Sequence, residues 1–420
     1  MGQFSGKGKK NNDKNNNKEN NDEEEFNKDE IYIPPLTDYK YFNKRMPYTM
    51  ENMEPSKEEQ KLIDSLNKEK IELTEFPDNP EKTTKIIIDT DLGTDWDDAM
   101  AVLYALKIPN LEILGITTNY GIPDLRAKVV KKIIDAYLQQ NPGKPPIPVI
   151  AGAGRPMGTH RELLLYGHEG KPFYDFNELK KTASIKHITS RNQEEAADFI
   201  IKTVKNMPNQ VKIVSIGIPT NISLAIKKDK SIIKLIKQII VMGCGSVVNS
   251  TNTKNYNPIN EIQNGNIINL YPNHNLSGDS MASSILFNSC IPTKVVSHTV
   301  TSSFWSEGEV IDFLREKAKN TKDIKNPDTP EEVVGLLMEE WFKVRAHQNG
   351  QCPHDPLTVN EAVFGGDKSP VIYARGRIIC HEWAAFSTFI PQKDGPHYLG
   401  VKIKEKNTFL DGLANTIMGK

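Results

Sequence analysis

The chain has 420 residues, with 53 lysines and arginines, 54 aspartates and glutamates, and a net charge of −1. No basic face is evident, which argues against nucleic acid or an anionic membrane as a partner and favours a small molecule. The four cysteines form no CxxC pair, and no apolar run approaches the roughly 18 residues that cross a bilayer. These features predict reduced thiols in a cytoplasmic protein.

The amino-terminal region divides into two segments ahead of the main body of the chain. Residues 1–30 consist largely of Asn, Lys, Glu, Asp and Gly, so we expect a disordered low-complexity tail. Residues 31–82 contain an amphipathic run at 57–66 and predict an extended arm with one helix. The remainder, residues 83–420, is expected to form one large domain.

Strands and helices alternate in the first half of this domain. Short, β-branched apolar runs predict strands at residues 86–88, 111–121, 147–154, 211–217 and 236–245. Helical periodicity separates them at residues 99–106, 124–140 and 193–206. The alternation predicts an α/β fold with a mainly parallel central sheet and helices on both faces.

The periodicity is lost between residues 246 and 275, where asparagine is abundant. Such a stretch is either a disordered insertion or a substrate loop. Beyond it, the pattern predicts helices at 279–287, 331–348 and 407–418, and strands at 294–296, 371–377 and 398–404. Residues 320–329 are expected to form an exposed loop.

Five carboxylates follow the first predicted strand within ten residues: Asp89, Asp91, Asp95, Asp97 and Asp98. They would lie at the carboxyl end of the sheet, where open α/β folds bind ligands. A helix N-terminus stabilises an anion by roughly 0.3–1 kcal/mol, whereas two carboxylates about 4 Å apart repel by about 4 kcal/mol at an effective dielectric constant near 20. A bound cation therefore explains the cluster better than a solvated acidic turn does. Because no His or Cys lies among the acids, Ca²⁺ or Mg²⁺ is favoured over zinc.

The segment DTDLGTDWDDAMA, residues 89–101, resembles the signature D-x-D-x-G-x-D-D-A-x-A of the inosine-uridine preferring nucleoside hydrolases. Relative to that signature, Asp95 and Trp96 are inserted. The resemblance implies a nucleoside-hydrolase fold, calcium as cofactor, and hydrolysis of the N-glycosidic bond of ribonucleosides to free base and ribose. It also implies that Asp91 and Asp98 are calcium ligands, that Asp91 is the general base, and that Asp97 contacts the 2′-hydroxyl. A homo-oligomer, either a dimer or a tetramer, is compatible with it.

Two later segments extend this resemblance to the metal site. Residues 353–357, PHDPL, could by themselves be a helix cap beside a surface histidine. By resemblance, Asp355 is the third carboxylate ligand and His354 is the proton donor to the leaving base. The segment IVSIGIPTNISLAI, residues 213–226, places the backbone carbonyl of Ile216 in the calcium shell.

Further matches concern the nucleoside. The segment NHNLSGDSMASSILF, residues 273–287, resembles the family pattern E-F-N-x-x-x-D-P-E-A-A. It assigns Asn275 to the ribose and puts Asn273 where the family has a glutamate at the 5′-hydroxyl. Asn266 is the upstream ribose candidate, and His168, in YGHEG, lies near the predicted base pocket. Ile122 stands where an asparagine is usual.

Two other functions remain open from the residues alone. An apolar strand followed by D-x-D also begins the haloacid-dehalogenase-like phosphatases, although that interpretation leaves His354 and Asp355 without a role. The departures at Asn273 and Ile122 motivate a non-catalytic, calcium-dependent nucleoside or ribose binder. Free base, phosphate or neither, released from nucleosides and nucleotides, would distinguish the three.

Overall fold

The structure is a computed structural model. It describes residues 55–77, 82–158, 168–174, 194–245, 257–271, 273–345, 348–382 and 386–420, together with two short paired strands, Ile31–Tyr32 and Leu163–Leu164. The predicted disordered tail, residues 1–30, lies outside these ranges. None of the helices in the described ranges combines the length and the apolar character needed to span a bilayer.

One sheet of 11 strands dominates the described part of the chain. Its strands are β1 Leu73–Glu75, β2 Thr84–Thr90, β3 Leu111–Thr118, β4 Val149–Ala151, β5 Val211–Ser215, β6 Gln238–Gly243, β7 Ile268–Leu270, β8 Thr293–Ser297, β9 Val371–Cys380, β10 Ser387–Pro391 and β11 His397–Ile403. Their order is β4-β3-β2-β5-β6-β8-β11-β9-β10-β7, and β1 pairs with β9. The pairings from β4 to β11 are parallel and the remaining ones are antiparallel. The predicted α/β fold with a mainly parallel sheet is confirmed.

Helices cover both faces of this sheet. They are α1 Lys57–Ser65, α2 Asp97–Lys107, α3 Pro123–Gln140, α4 Glu195–Asn206, α5 Thr220–Lys228, α6 Pro258–Gln263, α7 His274–Gly278, α8 Ser280–Asn288, α9 His298–Thr301, α10 Glu309–Asn320, α11 Pro330–Val344, α12 His354–Val363 and α13 Asn407–Met418. Two 3₁₀ turns, Lys230–Lys234 and Gly366–Lys368, complete the regular structure.

Strand β2 lies within the parallel part of the sheet and is buried on both sides. Its three isoleucines are fully buried, with Ile86 and Ile88 in the apolar cluster that includes α2, α3, α11 and α12. Ile87 points the other way, into the cluster that includes α4 and α5. Alternate side chains of a strand face opposite sides of the sheet. The packing of this run therefore fixes the orientation of β2 and the position of the acids that follow it.

Several elements differ from those predicted. Within the polar stretch, the described residues 257–271 contain α6 and β7. The segment that begins at residue 354 forms a helix, α12. The sequence showed no pattern that predicted α10 or β10. The predicted arm contains α1, as expected, and its Ile63 packs on Ile379 and Ile390 while β1 extends the sheet beside β9.

Candidate metal centre and active site

Three carboxylates converge where β2 delivers the chain into α2. Asp97 and Asp98 are the first two residues of α2, and Asp355 lies in the first turn of α12. One ligand oxygen from each of the three lies within 4.8 Å of the others, and all three side chains are buried. The fold therefore brings acids from distant parts of the sequence to one point, because α2 and α12 pack together.

The convergence is electrostatically unfavourable for the three acids alone. Burial, reinforced by the neighbouring carboxylates, raises the pKa of Asp97, of Asp98 and of Asp355 well above the usual range. At an effective dielectric constant of 20, each pair of charges at such a separation repels by about 3–4 kcal/mol. An all-oxygen, buried donor set with uncompensated charge fits a hard cation such as Ca²⁺ or Mg²⁺.

Asp91 lies beside this cluster but is not one of the three residues whose oxygens lie within 4.8 Å of one another. Its carboxylate Oδ2 lies 3.7 Å from Nε2 of His274, at the start of α7. Burial alone would raise the pKa of Asp91, but the His274 contact and the charge of Arg126 outweigh it and lower that pKa. Asp91 is thus the acid of this group most readily ionised. Its charge also contributes to the raised pKa values of Asp97, Asp98 and Asp355.

Asp89 holds together the carboxyl ends of two adjacent strands and the start of α5. Its side chain is fully buried and accepts hydrogen bonds from Thr117 Oγ1 at 2.6 Å, Asn119 Nδ2 at 3.1 Å and Asn221 Nδ2 at 2.8 Å. Burial raises the pKa of Asp89 to about 7 despite these bonds. These hydrogen bonds indicate that Asp89 holds the neighbouring strand ends and α5 in place.

The predicted carbonyl and ribose residues lie beside the cluster. Ile216 follows β5, and its carbonyl accepts a hydrogen bond from Asn275 Nδ2 at 2.8 Å. Asn275 also donates to the carbonyl of Met242 at 3.2 Å. Asn273 caps α7 by accepting from Leu276 N at 3.0 Å. Both asparagines are buried at the end of β6.

Asn266 lies elsewhere. It is exposed on the turn before β7, and its amide donates to the carboxylate of Glu261 in α6. Asn273, by contrast, lies beyond the other end of β7. The structure therefore places Asn266 and Asn273 at opposite ends of β7.

His354, the first residue of α12, is held by two contacts. Its Nδ1 lies 2.7 Å from Thr301 Oγ1, and its ring stacks on His298 with centroids 5.4 Å apart. Burial, together with the charge of His298, lowers the pKa of His354 to about 3. This lowered pKa favours the neutral imidazole at pH 7. A neutral imidazole still offers one N–H to a substrate.

The inserted residues and the predicted base-side histidine meet on the acid loop, defined here as residues 91–96 between β2 and α2. Asp95 Oδ1 accepts from Trp341 Nε1 on α11 at 2.7 Å, and Trp96 is buried in the core. His168 is buried, and its Nε2 lies 2.7 Å from the carbonyl of Thr94. The two extra residues thus attach the loop to α11 instead of extending it into solvent.

Sequence reasoning missed four residues of this site: Arg126, His274, Thr301 and Gln351. Gln351 Nε2 donates to Asp97 Oδ1 at 3.2 Å. Arg126 alone carried a usable signal, because it shares one face of α3 with the buried residues Val130 and Ile134, where a charge is unexpected. The others lie in short or irregular segments that only the tertiary fold brings to the acids.

The sequence is similar to known proteins over most of its length. Residues 86–406 match the family model described as inosine-uridine preferring nucleoside hydrolase. Uridine nucleosidase 1 of Arabidopsis thaliana is 30% identical over 279 residues, which cover 66% of this chain and 73% of that protein. A pyrimidine-specific ribonucleoside hydrolase of Salmonella typhi is 27% identical over 281 residues, covering 65% and 78% of the two chains.

Solved structures show the same fold. A plant nucleoside hydrolase is 22% identical with a TM-score of 0.54, and the match covers 80% of this chain and 99% of that one. A purine-preferring ribonucleoside hydrolase from Gardnerella vaginalis is 22% identical with a TM-score of 0.55, covering 80% and 98%.

Proposed function

This chain belongs to the inosine-uridine preferring nucleoside hydrolase family, whose members cleave the N-glycosidic bond of ribonucleosides, and we propose that it does so with a calcium ion at its acid cluster. The convergence of Asp97, Asp98 and Asp355 is the single observation that carries this proposal. Three buried carboxylates this close together are destabilising unless a cation or protons offset their charge.

The proposed calcium ligands are the carboxylates of Asp91, Asp98 and Asp355 and the carbonyl of Ile216. The oxygen donors suit the ion, because Ca²⁺ takes carboxylates, backbone carbonyls and water in a flexible shell. When bound, the ion supplies Lewis acidity that polarises a water molecule and the sugar hydroxyls. Asp97 lies in the same cluster and is proposed to accept from the 2′-hydroxyl, with Gln351 fixing the orientation of its carboxylate.

Asp91 is proposed as the general base. The contact with His274 and the charge of Arg126 favour its ionised form, so it can accept a proton from the attacking water. The sugar becomes oxocarbenium-like as the bond to the base breaks, and the surrounding carboxylates stabilise that positive charge.

The remaining assignments follow the two ends of the nucleoside. Asn275 and Asn273, at the end of β6, are proposed to bind the ribose. His354 is proposed to face the leaving base, where Thr301 fixes its ring and leaves Nε2 for hydrogen bonding. His168 is proposed to border the base from the other side of the acid loop. We also propose a cytoplasmic location, and the dimer or tetramer remains a prediction.

The two alternative functions are less well supported. The family match over residues 86–406 favours a glycosidase over a phosphatase of the haloacid-dehalogenase type. The relatives named uridine nucleosidase and ribonucleoside hydrolase favour turnover over binding alone.

Release of reducing sugar tests the proposal. The purified protein is incubated with uridine, inosine, adenosine and cytidine, in calcium and in excess chelator. We expect ribose release from at least one nucleoside, loss of that activity in chelator, and recovery on adding calcium. Nucleoside binding without ribose release would support the binder instead.

Variants locate the activity. Asp98→Ala and Asp355→Ala should reduce kcat/KM at least about 10³-fold, because each removes a charge from the reacting centre. Asp394→Ala is the matched control, since that carboxylate is fully exposed on the turn between β10 and β11. Activity lost equally in the control would point to a general effect of charge removal.

A further inference from the structure

Arg126 is a fully buried arginine in the first turn of α3, and only 1% of it is exposed. Its Nε donates to the carbonyl of Tyr120 at 2.8 Å. Its Nη1 donates to the carbonyls of Asp91 and, at 3.1 Å, Leu92. Both Nη atoms also contact Thr94 Oγ1, at 3.3 and 3.2 Å. Each of these hydrogen bonds from the Arg126 guanidinium is accepted by a neutral oxygen, either in the acid loop or in the turn before α3.

Such a placement is costly without a compensating role. A buried charge is penalised by several kcal/mol unless it is paired or fully hydrogen-bonded. Here the positive charge lies near the acids, where it lowers the pKa of Asp91 and opposes the rise in that of Asp98. The planar fork of donors also satisfies several acceptors at once, which a lysine ammonium cannot reproduce.

The acid loop needs such a brace because of its own backbone. Gly93 has φ +122°, a conformation that residues with a side chain rarely adopt, and a Cβ there would lie 3.8 Å from Arg126 Nη1. Asp91 and Leu92 are buried, so without the guanidinium their carbonyls would lose a partner in a water-poor environment. The loop is also two residues longer than the family signature, which makes its path less restricted by length alone.

We propose that Arg126 is a positioning residue, which holds the acid loop in the conformation that aims Asp91 and Asp98 at one cation. This inference rests on the proposed function for its consequence, the cation affinity, but its structural content is independent of it. Thr94 belongs to the same device, because its hydroxyl receives two of the guanidinium contacts.

Two substitutions disturb this device without removing an acid. Arg126→Lys keeps the charge and loses the fork, and Thr94→Val keeps the shape and loses the hydroxyl. We expect Arg126→Lys to weaken calcium binding by about 10- to 100-fold, which is typical of groups that orient metal ligands. Thr94→Val should weaken it less, and the double variant should bind about as Arg126→Lys does, because the two changes remove the same contact.

Calcium titration calorimetry on the full chain measures these affinities. Leu399→Ala is the control, since Leu399 is buried in the apolar cluster on the other face of the sheet and its loss lowers stability without touching the loop. The control should keep the wild-type calcium affinity. Wild-type affinity in both Arg126→Lys and Thr94→Val would overturn the proposal.

Hydrogen exchange in the calcium-free protein separates this proposal from the proposed function. The peptide covering residues 89–100 should exchange faster in Arg126→Lys and Thr94→Val than in wild type or Leu399→Ala. Faster exchange in a protein that binds no calcium would sustain the brace and refute the metal centre. Unchanged exchange in both variants would refute the brace whatever the calcium result.

Discussion

At the scale of single residues, the buried carboxylates of the site lower the stability of the folded protein. Asp97, Asp98 and Asp355 are buried close together, and burial with nearby carboxylates raises the pKa of each. Only the cation proposed for this site, or protonation, relieves their repulsion. These three carboxylates should therefore lower the stability of the calcium-free protein.

Asp355→Asn tests this trade. The amide keeps the shape of the carboxylate and removes one of three repelling charges, so the calcium-free variant should be more stable than wild type by about 1–3 kcal/mol. Urea unfolding in chelator at pH 8 measures the difference, with Asp394→Asn as the exposed control. A variant less stable than wild type would mean that the carboxyl is held by favourable contacts rather than strained by repulsion.

The inserted acid gives a second prediction at this scale. Trp341→Phe retains an aromatic ring beside Phe342 but removes the donor that contacts Asp95 at 2.7 Å. We expect a loss of about 1–2 kcal/mol in the free energy of unfolding, since a half-buried carboxylate loses its hydrogen bond. The double variant Trp341→Phe with Asp95→Asn should recover part of the loss. Additive losses would show that the hydrogen bond contributes nothing.

At the scale of secondary-structure elements, predictability followed burial pattern. The parallel strands were predicted because each is a short apolar run covered by helices on both faces. Strand β7 was not, because its three residues, Ile268–Leu270, lie within a polar stretch and pair antiparallel with β10. Helix α12 was missed because its first residues carry the site, so His354, Asp355 and Pro356 obscure the helical pattern.

Strand β11 supplies a prediction about pH. His397 is fully buried there, and its Nδ1 accepts a hydrogen bond from the backbone N–H of Ile378 on β9 at 2.8 Å. Burial, with the charge of Arg377, lowers the pKa of His397 from 6.5 to about 3. Between these values the unfolded chain binds a proton that the folded protein rejects, so stability falls as the pH falls through this window.

His397→Asn should remove this dependence, because the amide oxygen can accept the same bond and does not titrate. From pH 6.5 to pH 5, the wild type should lose about 1.5 kcal/mol more stability than the variant. Chemical unfolding at a series of pH values measures both curves. Parallel curves would show that His397 is protonated in the folded protein or exposed to solvent.

At the scale of the whole molecule, the sequence allowed the fold class and part of the site to be predicted, for different reasons. The fold followed from alternating apolar runs, and Asp98 and Asp355 from short motifs. The contacts of Arg126, Thr301 and Gln351 could not be predicted, because they depend on how α3, α9 and the segment before α12 pack around the acids. Local sequence patterns carry no information about such tertiary contacts.

Global stability should respond to calcium through this one centre. A ligand that binds only the folded protein stabilises it by RT ln(1 + [L]/Kd), which is about 2.7 kcal/mol at a concentration of 100 Kd. Calcium should therefore raise the Tm of the wild type and of Asp394→Asn. It should leave the Tm of Asp98→Asn nearly unchanged.

The account depends most directly on calcium binding where α2 and α12 meet, and titration calorimetry of the calcium-free protein measures it. We expect one calcium per chain in the wild type and in Asp394→Asn, and no measurable binding in Asp98→Asn or Asp355→Asn. Wild-type protein that binds no calcium, or variants that bind it as tightly as the wild type, would contradict the account.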